Sequence, residues 1–386
     1  MADSVRIPLL AVTTYKITPP IQGGQKNAYH FYDALGKLTD LHVLGTADNE
    51  VPKNFSGDFD QCLPLGVGRY ASPLLPGLIF RKLKKTGSRL LILEHPYLGW
   101  AAILLRLFRR IPFVIHSQNI EATRFKSMGK WWWRGLFFYE KWTHRFAAHQ
   151  FFITPEDMRY AIDSFQLNPN NCSVIPYGIN EEKTPSSEQR VQARKALLEK
   201  HGLSANTCLM LFNGALGYAP NREALKLIIE QINPLLKQQF GNDYRILVCG
   251  GGLPETFQDL KNGSIENMLY EGFVDDIKAY YLGTDIFLNP VNEGGGIKTK
   301  LVEAIGMGLT AISTRTGAFG VPKESAPDKL WICDDDNLNA FVTLARTAFI
   351  QYRENPTPVS FYDHFAWNSI ARRAAETLQK VHQSTL

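Results

Sequence analysis

Hydrophobic residues fall along this 386-residue chain in short runs, each closed by glycine, proline or charge. Runs at 6–14, 41–45, 90–94, 113–117 and 150–154 are short for helices and read as buried strands. Helical spacing appears between them. Residues 26–38 place Ala28, Phe31, Tyr32 and Leu35 on one face, and 130–146 reads as an aromatic, basic helix. A polar run at 181–190 predicts a domain boundary, after which the alternation restarts. Strands at 208–214, 244–249, 268–274, 286–291, 309–314 and 331–333 interleave with helices at 220–237, from Thr299 onward, at 337–352 and at 367–382. Such alternation predicts doubly wound α/β architecture. The length suits two domains of about 150–200 residues each.

The densest signal runs from Ile286 to Phe319. A short apolar strand is followed by Gly294, Gly295 and Gly296, then by a helix start, then by a second apolar strand after Gly308. Strand, Gly-rich loop, helix and strand make one right-handed βαβ unit. The glycines let a ligand approach the backbone closely. The helix beginning near Thr299 directs its N–H groups and positive dipole end over the loop. Lys298 and Lys300 add charge there, which suits a diphosphate. Glu303 lies three residues after Lys300, on one helical face, where it can accept hydrogen bonds from ribose hydroxyls. A Gly-rich turn with solvated lysines also fits the loop taken alone. Neither GxGxxG nor GxxxxGK[ST] occurs, so the dinucleotide and P-loop fingerprints do not apply.

Composition narrows the class. Apolar residues make up 45% and charged residues 20%, as in ordinary globular proteins. Five scattered cysteines form no CxxC pair, so neither a zinc site nor a disulfide framework is indicated, and a reducing cytoplasmic setting fits. The N-terminus lacks a basic stretch followed by an apolar core, so no signal peptide is expected. No apolar run approaches the roughly 20 residues that span a bilayer. Charge is unevenly spread. Between Phe80 and Gln150, fourteen Lys/Arg stand against three acids, 14 − 3 = +11, while the whole chain is +5. The asymmetry points to an anionic partner for the first half.

Several stretches together resemble glycosyltransferase family 4, retaining enzymes of the GT-B fold. In order they are Pro19-Pro-Ile-Gln-Gly-Gly, Val174-Ile-Pro-Tyr-Gly-Ile-Asn, Phe212-Asn-Gly-Ala-Leu-Gly, Leu247-Val-Cys-Gly-Gly-Gly, Tyr270-Glu-Gly-Phe-Val, Asp285-Ile-Phe-Leu-Asn-Pro and Gly294-Gly-Gly-Ile-Lys-Thr-Lys-Leu-Val-Glu-Ala. The resemblance implies two Rossmann-like domains facing across a cleft. It assigns 1–176 to the acceptor side and 177–365 to the nucleotide-sugar donor side. The last helix, within 366–386, would cross back to the first domain. It also implies roles for matching positions. Glu303 would bind ribose. Gly295, Gly296 and Ile297 would offer backbone N–H groups to the diphosphate and sugar. Gly272 and Phe273 would line the base pocket. Gly24 would close over the phosphates, and His116 would stand beside the reacting sugar. Asn119, Glu121 and Arg124 follow as acceptor-side candidates.

Two departures from the family pattern bear on the donor. The family has a first Glu eight residues before the ribose Glu; here that position is Gly295, and Glu293 lies two residues too early. A cation normally follows the glycine turn at Gly214, yet none occurs before Arg222. Lys298 and Lys300 are inferred to replace it, as in a Gly-x-Lys-x-Lys subgroup. Asp334 and Asp336 show the Asp-x-Asp spacing of metal-dependent sugar transferases, but their place before a helix reads as an acidic cap. No metal or cofactor is expected. The expected function is metal-independent transfer of a sugar to a glycan or lipid-linked acceptor. A GT-B epimerase or a nucleotide-sugar binding protein is the alternative.

Trp131, Trp132, Trp133, Phe137, Phe138 and Trp142 are interleaved with Lys126, Lys130, Arg134 and Lys141. Consecutive aromatics cannot all face inward on one helix. Aromatics with cations suit the headgroup level of an anionic membrane, implying peripheral contact at the inner membrane face. Burial in the core is the competing reading. Nucleic acid is not expected, because no single-strand binding module is visible.

Overall fold

A computed structural model describes residues 6–351 and 354–384. Met1 to Val5, at the N-terminus where no signal peptide is expected, and Tyr352, the expected end of a helix, lie outside the described residues. The chain divides into two compact units. One runs through Gly178 and resumes at Trp367; the other is Ile179–Ala366. The polar run at 181–190 begins three residues beyond that division. It leads into a helix of the second unit, Ser187–His201, started by a capping box at Ser186 and Gln189.

The first unit is a seven-stranded sheet. Its strands are β1 (Pro8–Val12), β2 (Asp40–Thr46), β3 (Asp58–Leu63), β4 (Leu90–Glu94), β5 (Phe113–Ser117), β6 (His149–Phe152) and β7 (Cys172–Val174). They lie in the order β3-β2-β1-β4-β5-β6-β7, with every neighbouring pair parallel. Strands β4 and β5 are buried at every position, as expected for a sheet covered on both faces. The C-terminal helix Trp367–Gln383 buries Trp367, Ile370, Ala371, Ala374 and Leu378 in this unit, within the cluster that holds Phe31 and Leu35 of helix Gly23–Gly36. Gly178 has no room for a Cβ because the Trp367 ring lies against it.

The second unit is a six-stranded parallel sheet of β8 (Cys208–Asn213), β9 (Tyr244–Cys249), β10 (Met268–Gly272), β11 (Ile286–Asn289), β12 (Thr310–Thr314) and β13 (Leu330–Cys333), in the order β10-β9-β8-β11-β12-β13. Strands β8, β11 and β12 are wholly buried. The single helix expected over 220–237 is three pieces. Ala219–Leu227 and Asn233–Phe240 flank a π-helical turn at Ile228–Ile232, with Pro234 just after it. Proline removes a ladder hydrogen bond, which fits the change of winding.

Strand order reverses direction between β1 and β4 in one sheet and between β8 and β11 in the other. Ligands of open α/β sheets bind beyond the carboxyl ends of the strands at such reversals. In the second unit, the turn after β8 and the turn after β9 touch. Gly214 N–H donates to the Cys249 carbonyl at 2.9 Å, and Gly250 N–H donates to the Gly272 carbonyl at 2.7 Å. A Cβ on Gly250 would stand 1.7 Å from the Gly214 carbonyl oxygen, and its φ is 151°. Gly250→Ala should therefore destabilise the protein by about 3 kcal/mol, through steric overlap and backbone strain together. Urea unfolding checks this, and a loss within a few tenths of a kcal/mol would contradict the close contact.

Candidate functional site

The reversal in the second unit opens a cavity of about 190 Å³. Its walls come from the end of β8 and the connection after it (Asn213, Tyr218, Pro220, Asn221), from β11 and the residues just beyond it (Phe287, Asn289, Val291), and from the loop and helix start at Glu293, Gly294, Gly295, Ile297, Lys298, Thr299 and Lys300. The helix Thr299–Gly306 starts at the cavity edge and buries Leu301, Val302, Ala304 and Ile305 in the core. Its apolar face is thus anchored while its N-terminal N–H groups remain at the loop. Gly294 and Gly296 take φ of 85° and 78°, a conformation that favours glycine. At Gly295 nothing lies within 4 Å of a Cβ position.

The two lysines part company. Lys298 Nζ donates to the carbonyls of Gly294 at 2.8 Å and Gly296 at 3.0 Å. Its ammonium therefore ties the glycine loop together, and burial pulls its pKa down to about 8. Lys300 reaches the other way. Its Nζ lies 2.9 Å from the position a Gly214 Cβ would occupy, beside Asn221. A cation thus stands at the turn after β8, where the sequence shows none.

Glu303 is half-buried one turn further on. Tyr281, from helix Ile277–Gly283, donates its hydroxyl to Glu303 Oε2 at 3.3 Å. Asn213 Nδ2 donates to the Tyr281 hydroxyl at 2.9 Å. Asn213 Oδ1 is buried and has no hydrogen-bond partner among the described residues. A buried acceptor of this kind costs free energy until a donor meets it, and Asn213 lines the cavity. Gly272 ends β10 with φ of 69°, and Phe273 after it is 78% exposed, its Cβ near Gly251. Neither lines the cavity. Glu293 does line it, although its spacing falls outside the family pattern.

In the first unit, the strand ends at the β1–β4 reversal carry a different cluster. Glu94, at the end of β4, is buried and accepts from the Tyr32 hydroxyl at 2.8 Å, from the Tyr15 hydroxyl at 3.3 Å, and from Gln118 Nε2. His116 Nδ1 lies 2.8 Å from Glu94 Oε2. Burial alone would raise the Glu94 pKa, yet His116 beside it holds it below the ordinary value. Gln118 Nε2 also reaches the Gly24 carbonyl at 3.1 Å, so the exposed Gly24 turn is anchored to the same carboxylate through one side chain.

His116 itself is 0% exposed, packed on the Phe31 ring at 4.5 Å and edge-on to Tyr32. Its Nε2 is buried there and has no hydrogen-bond partner among the described residues. The neighbouring His95 is buried too, though less completely. It follows β4, takes φ of 64°, and is 8% exposed between Tyr15 and Tyr97. A non-glycine residue held at positive φ stores strain of about 1–3 kcal/mol, and such residues cluster at functional sites. Its Nδ1 lies 3.5 Å from Glu121 Oε1. Glu121 is buried, accepting from the Tyr97 hydroxyl at 2.6 Å and from Arg124 Nη1 at 3.0 Å. Asn119 is half-buried and Arg124 exposed. The sequence signal for His95 was the Glu-His-Pro step closing a strand, a backbone that proline restricts.

The three aspartates after β13 take other work. Asp334 pairs with Arg315 at 2.6 Å, and Asp335 accepts from the Thr316 N–H at 2.9 Å and hydroxyl at 2.6 Å. The helix Leu338–Gln351 has no acid in its first turn; the Asn337 side chain accepts from the Ala340 N–H at 3.0 Å instead. The expected acidic cap is thus a brace for the Arg315–Thr316 loop.

Comparison with known proteins follows the same two-part division. Residues 21–183 match Glycosyltransferase Family 4, and residues 207–348 match Glycosyl transferases group 1. An uncharacterized 44.6 kDa protein in the cps region of Klebsiella pneumoniae is 25% identical over 141 residues, spanning 35% of this chain and 36% of that relative. Among solved structures, sucrose-phosphate synthase from Thermosynechococcus elongatus superposes with a TM-score of 0.67 at 14% identity, over 98% of this chain and 100% of that one. HepE of Anabaena in complex with UDP gives a TM-score of 0.70 at 14% identity, over 97% and 100%. The same protein in complex with UDP-glucose gives 0.65 at 14% identity, over 96% and 99%. At such identities the likeness is one of fold, and the fold is GT-B.

The lysine geometry yields a measurable difference. Lys300→Ala should weaken a nucleoside diphosphate by roughly 10-fold or more, a lost charge-assisted bond, and leave the nucleoside nearly unchanged. Lys298 carries its charge only below about 8. An anion favours the charged form, so diphosphate affinity should be flat at neutral pH and fall as pH rises through that value. Lys298→Met should abolish this pH dependence and Lys300→Ala should keep it. Calorimetry across pH decides, and an unchanged profile in Lys298→Met refutes the assignment.

Proposed function

The chain is a glycosyltransferase of the family 4 type, and we propose that it transfers the sugar of a nucleoside-diphosphate donor with retention and without a metal ion. The observation carrying this reading is the cavity at the β8–β11 reversal, where a glycine loop, a helix N-terminus and the Lys300 ammonium meet. Fixed donors and charge aimed at one place stabilise negative charge as it develops there. The leaving diphosphate develops such charge. Lys300 and the N–H groups of the Gly295–Ile297 loop receive it, and Lys298 holds that loop in shape. Glu303, steadied by Tyr281, accepts the ribose hydroxyls, and the Phe273 ring lies open to a base. UDP, carried by the structural neighbour HepE, is the first nucleotide to try.

The place beside the reacting sugar goes to His95 rather than His116. Its slight remaining exposure and its positive-φ backbone support that role. Glu94 then acts through others, positioning His116 and, by way of Gln118, the Gly24 turn. The acceptor is a glycan or lipid-linked glycan of a growing polysaccharide, met at the inner face of an anionic membrane, with Asn119, Glu121 and Arg124 on its side. No helix among the described residues is long and apolar enough to cross a bilayer, so contact of this kind is peripheral.

Transfer from a nucleotide-sugar panel to a lipid-linked acceptor should persist in EDTA, and proton NMR of the product should show the donor's anomeric configuration. Loss of activity in EDTA restored by manganese, or an inverted product, would reject the respective part. The histidines separate in kinetics. His95→Ala should lower kcat by about 100-fold with nucleotide affinity kept. His116→Ala should instead destabilise the fold by about 3 kcal/mol, since it strips Glu94 of its buried partner. Equal kcat losses in equally stable variants would overturn the exchange of roles.

A further inference from the structure

The helix Trp133–Phe146 packs Phe137 and Phe146 partly against the core yet buries polar side chains and leaves other aromatics outward. The side chains it buries are Glu140, Thr143 and His144. Outward stand Phe138 at 61% and Trp142 at 54% exposed, with Trp131 at 88% in the turn before it. Residues 131, 138 and 142 are seven and four apart, one stripe of a helix. A helix of a soluble domain normally turns this stripe to the core.

The arrangement is held in place by specific contacts. The Glu140 carboxylate accepts from the backbone N–H groups of Glu121 at 3.0 Å and Ala122 at 2.9 Å, capping helix Glu121–Ser127. Burial pushes the Glu140 pKa up to about 8. Thr143 sits where a Cβ of Gly99 would stand, so helix Gly99–Arg109 approaches closely. The Trp100 N–H donates to the Tyr139 hydroxyl at 3.2 Å, and Arg106 donates to the Phe146 carbonyl. The second helix adds Leu104, Leu107 and Phe108 to the exposed residues, with Phe108 at 74%. Exposed apolar patches on this scale mark interaction sites.

Cations frame the aromatics. Lys126 and Arg134 lie over the Trp133 ring at 4.9 and 5.6 Å, and Arg145 lies over Trp142 at 5.4 Å. Lys130, Arg109 and Arg110 are exposed alongside. Two copies of so basic a face repel each other, which argues against a homodimer. A surface of anionic headgroups over acyl chains matches both components, because tryptophan and basic side chains favour that level of a bilayer.

We propose that the paired helices Gly99–Arg109 and Trp133–Phe146 form a docking face for an anionic bilayer, inserting Trp131, Phe138 and Trp142 at headgroup depth. The proposal deepens the membrane-side acceptor reading above. It stands apart from donor binding, because nucleotide affinity is measured on the same preparation.

The test is co-sedimentation of the whole chain with phosphatidylcholine vesicles with and without phosphatidylglycerol, alongside tryptophan quenching by brominated lipid. Wild type should sediment with the anionic vesicles, be quenched, and be released in part by salt, which screens exposed charges beyond about 8 Å at physiological strength. Trp131→Ser with Trp142→Ser should keep the anionic preference but lose most quenching. Lys126→Gln with Arg134→Gln should cut partitioning by roughly 30-fold, as each cation near an anionic surface contributes about 5-fold. Both pairs are at the surface, and an unchanged thermal unfolding midpoint in each variant reports that the fold is intact, with UDP affinity read separately. Wild type remaining in the supernatant at low salt overturns the proposal. So does a dimer in analytical ultracentrifugation that shields the tryptophans from acrylamide.

Discussion

Two glycine turns pressed together set the geometry of the donor unit. Gly250 can approach the Gly214 carbonyl only because it has no side chain. That contact draws the ends of β8 and β9 together beside the reversal of strand order. The cavity then follows from topology: β8 and β11 lead their connections away in opposite directions, leaving a gap above their carboxyl ends. Asn213, Asn289 and the Gly294–Gly296 loop line the gap because they are what comes next in the chain at those ends. Lys300 reaches across from the helix to the bare Gly214 turn. A side chain on that turn would compete with the ammonium for the same space.

Buried carboxylates organise the other unit. Glu94 gathers two tyrosines, a histidine and a glutamine around one side chain. Burying a charge is costly unless it is paired and hydrogen-bonded, and this one is met on both oxygens. The result ties the Gly24 turn, β4, β5 and helix Gly23–Gly36 to one point. Glu140 does a similar job further along by capping a helix end from below. Each carboxylate converts a local polar need into a long-range constraint, so each also decides which neighbouring side chains face outward.

Much of this was legible in the sequence, for physical reasons. Central strands of covered parallel sheets are mostly apolar, so β4, β8, β9 and β11 stand out as runs. Edge strands β3 and β7 are partly exposed and mixed in composition, and the periodicity does not mark them. The glycine loop and its lysines were visible because they are contiguous. Their partners were not. Tyr281 precedes Glu303 by twenty-two residues on a different helix, and Tyr218 and Asn221 reach the cavity from the turn after β8. Strand position alone does not reveal which face a histidine takes. His116 falls on the packed side of β5, whereas the positive φ at His95, one residue past β4, is a feature only coordinates display.

The lysines illustrate why spacing underdetermines role even inside a legible motif. Lys298 and Lys300 are separated by one residue, at the junction where loop becomes helix. Side chains two apart at a helix start leave in different directions. One turns back onto carbonyl oxygens that a φ-positive glycine turn exposes, and those oxygens would otherwise repel an anion. The other extends over the cavity. Neutralising the loop's own carbonyls is therefore a precondition for presenting its N–H groups to a phosphate. A buried lysine whose charge costs free energy is tolerated at that position because it turns a mixed dipolar loop into a uniformly positive one.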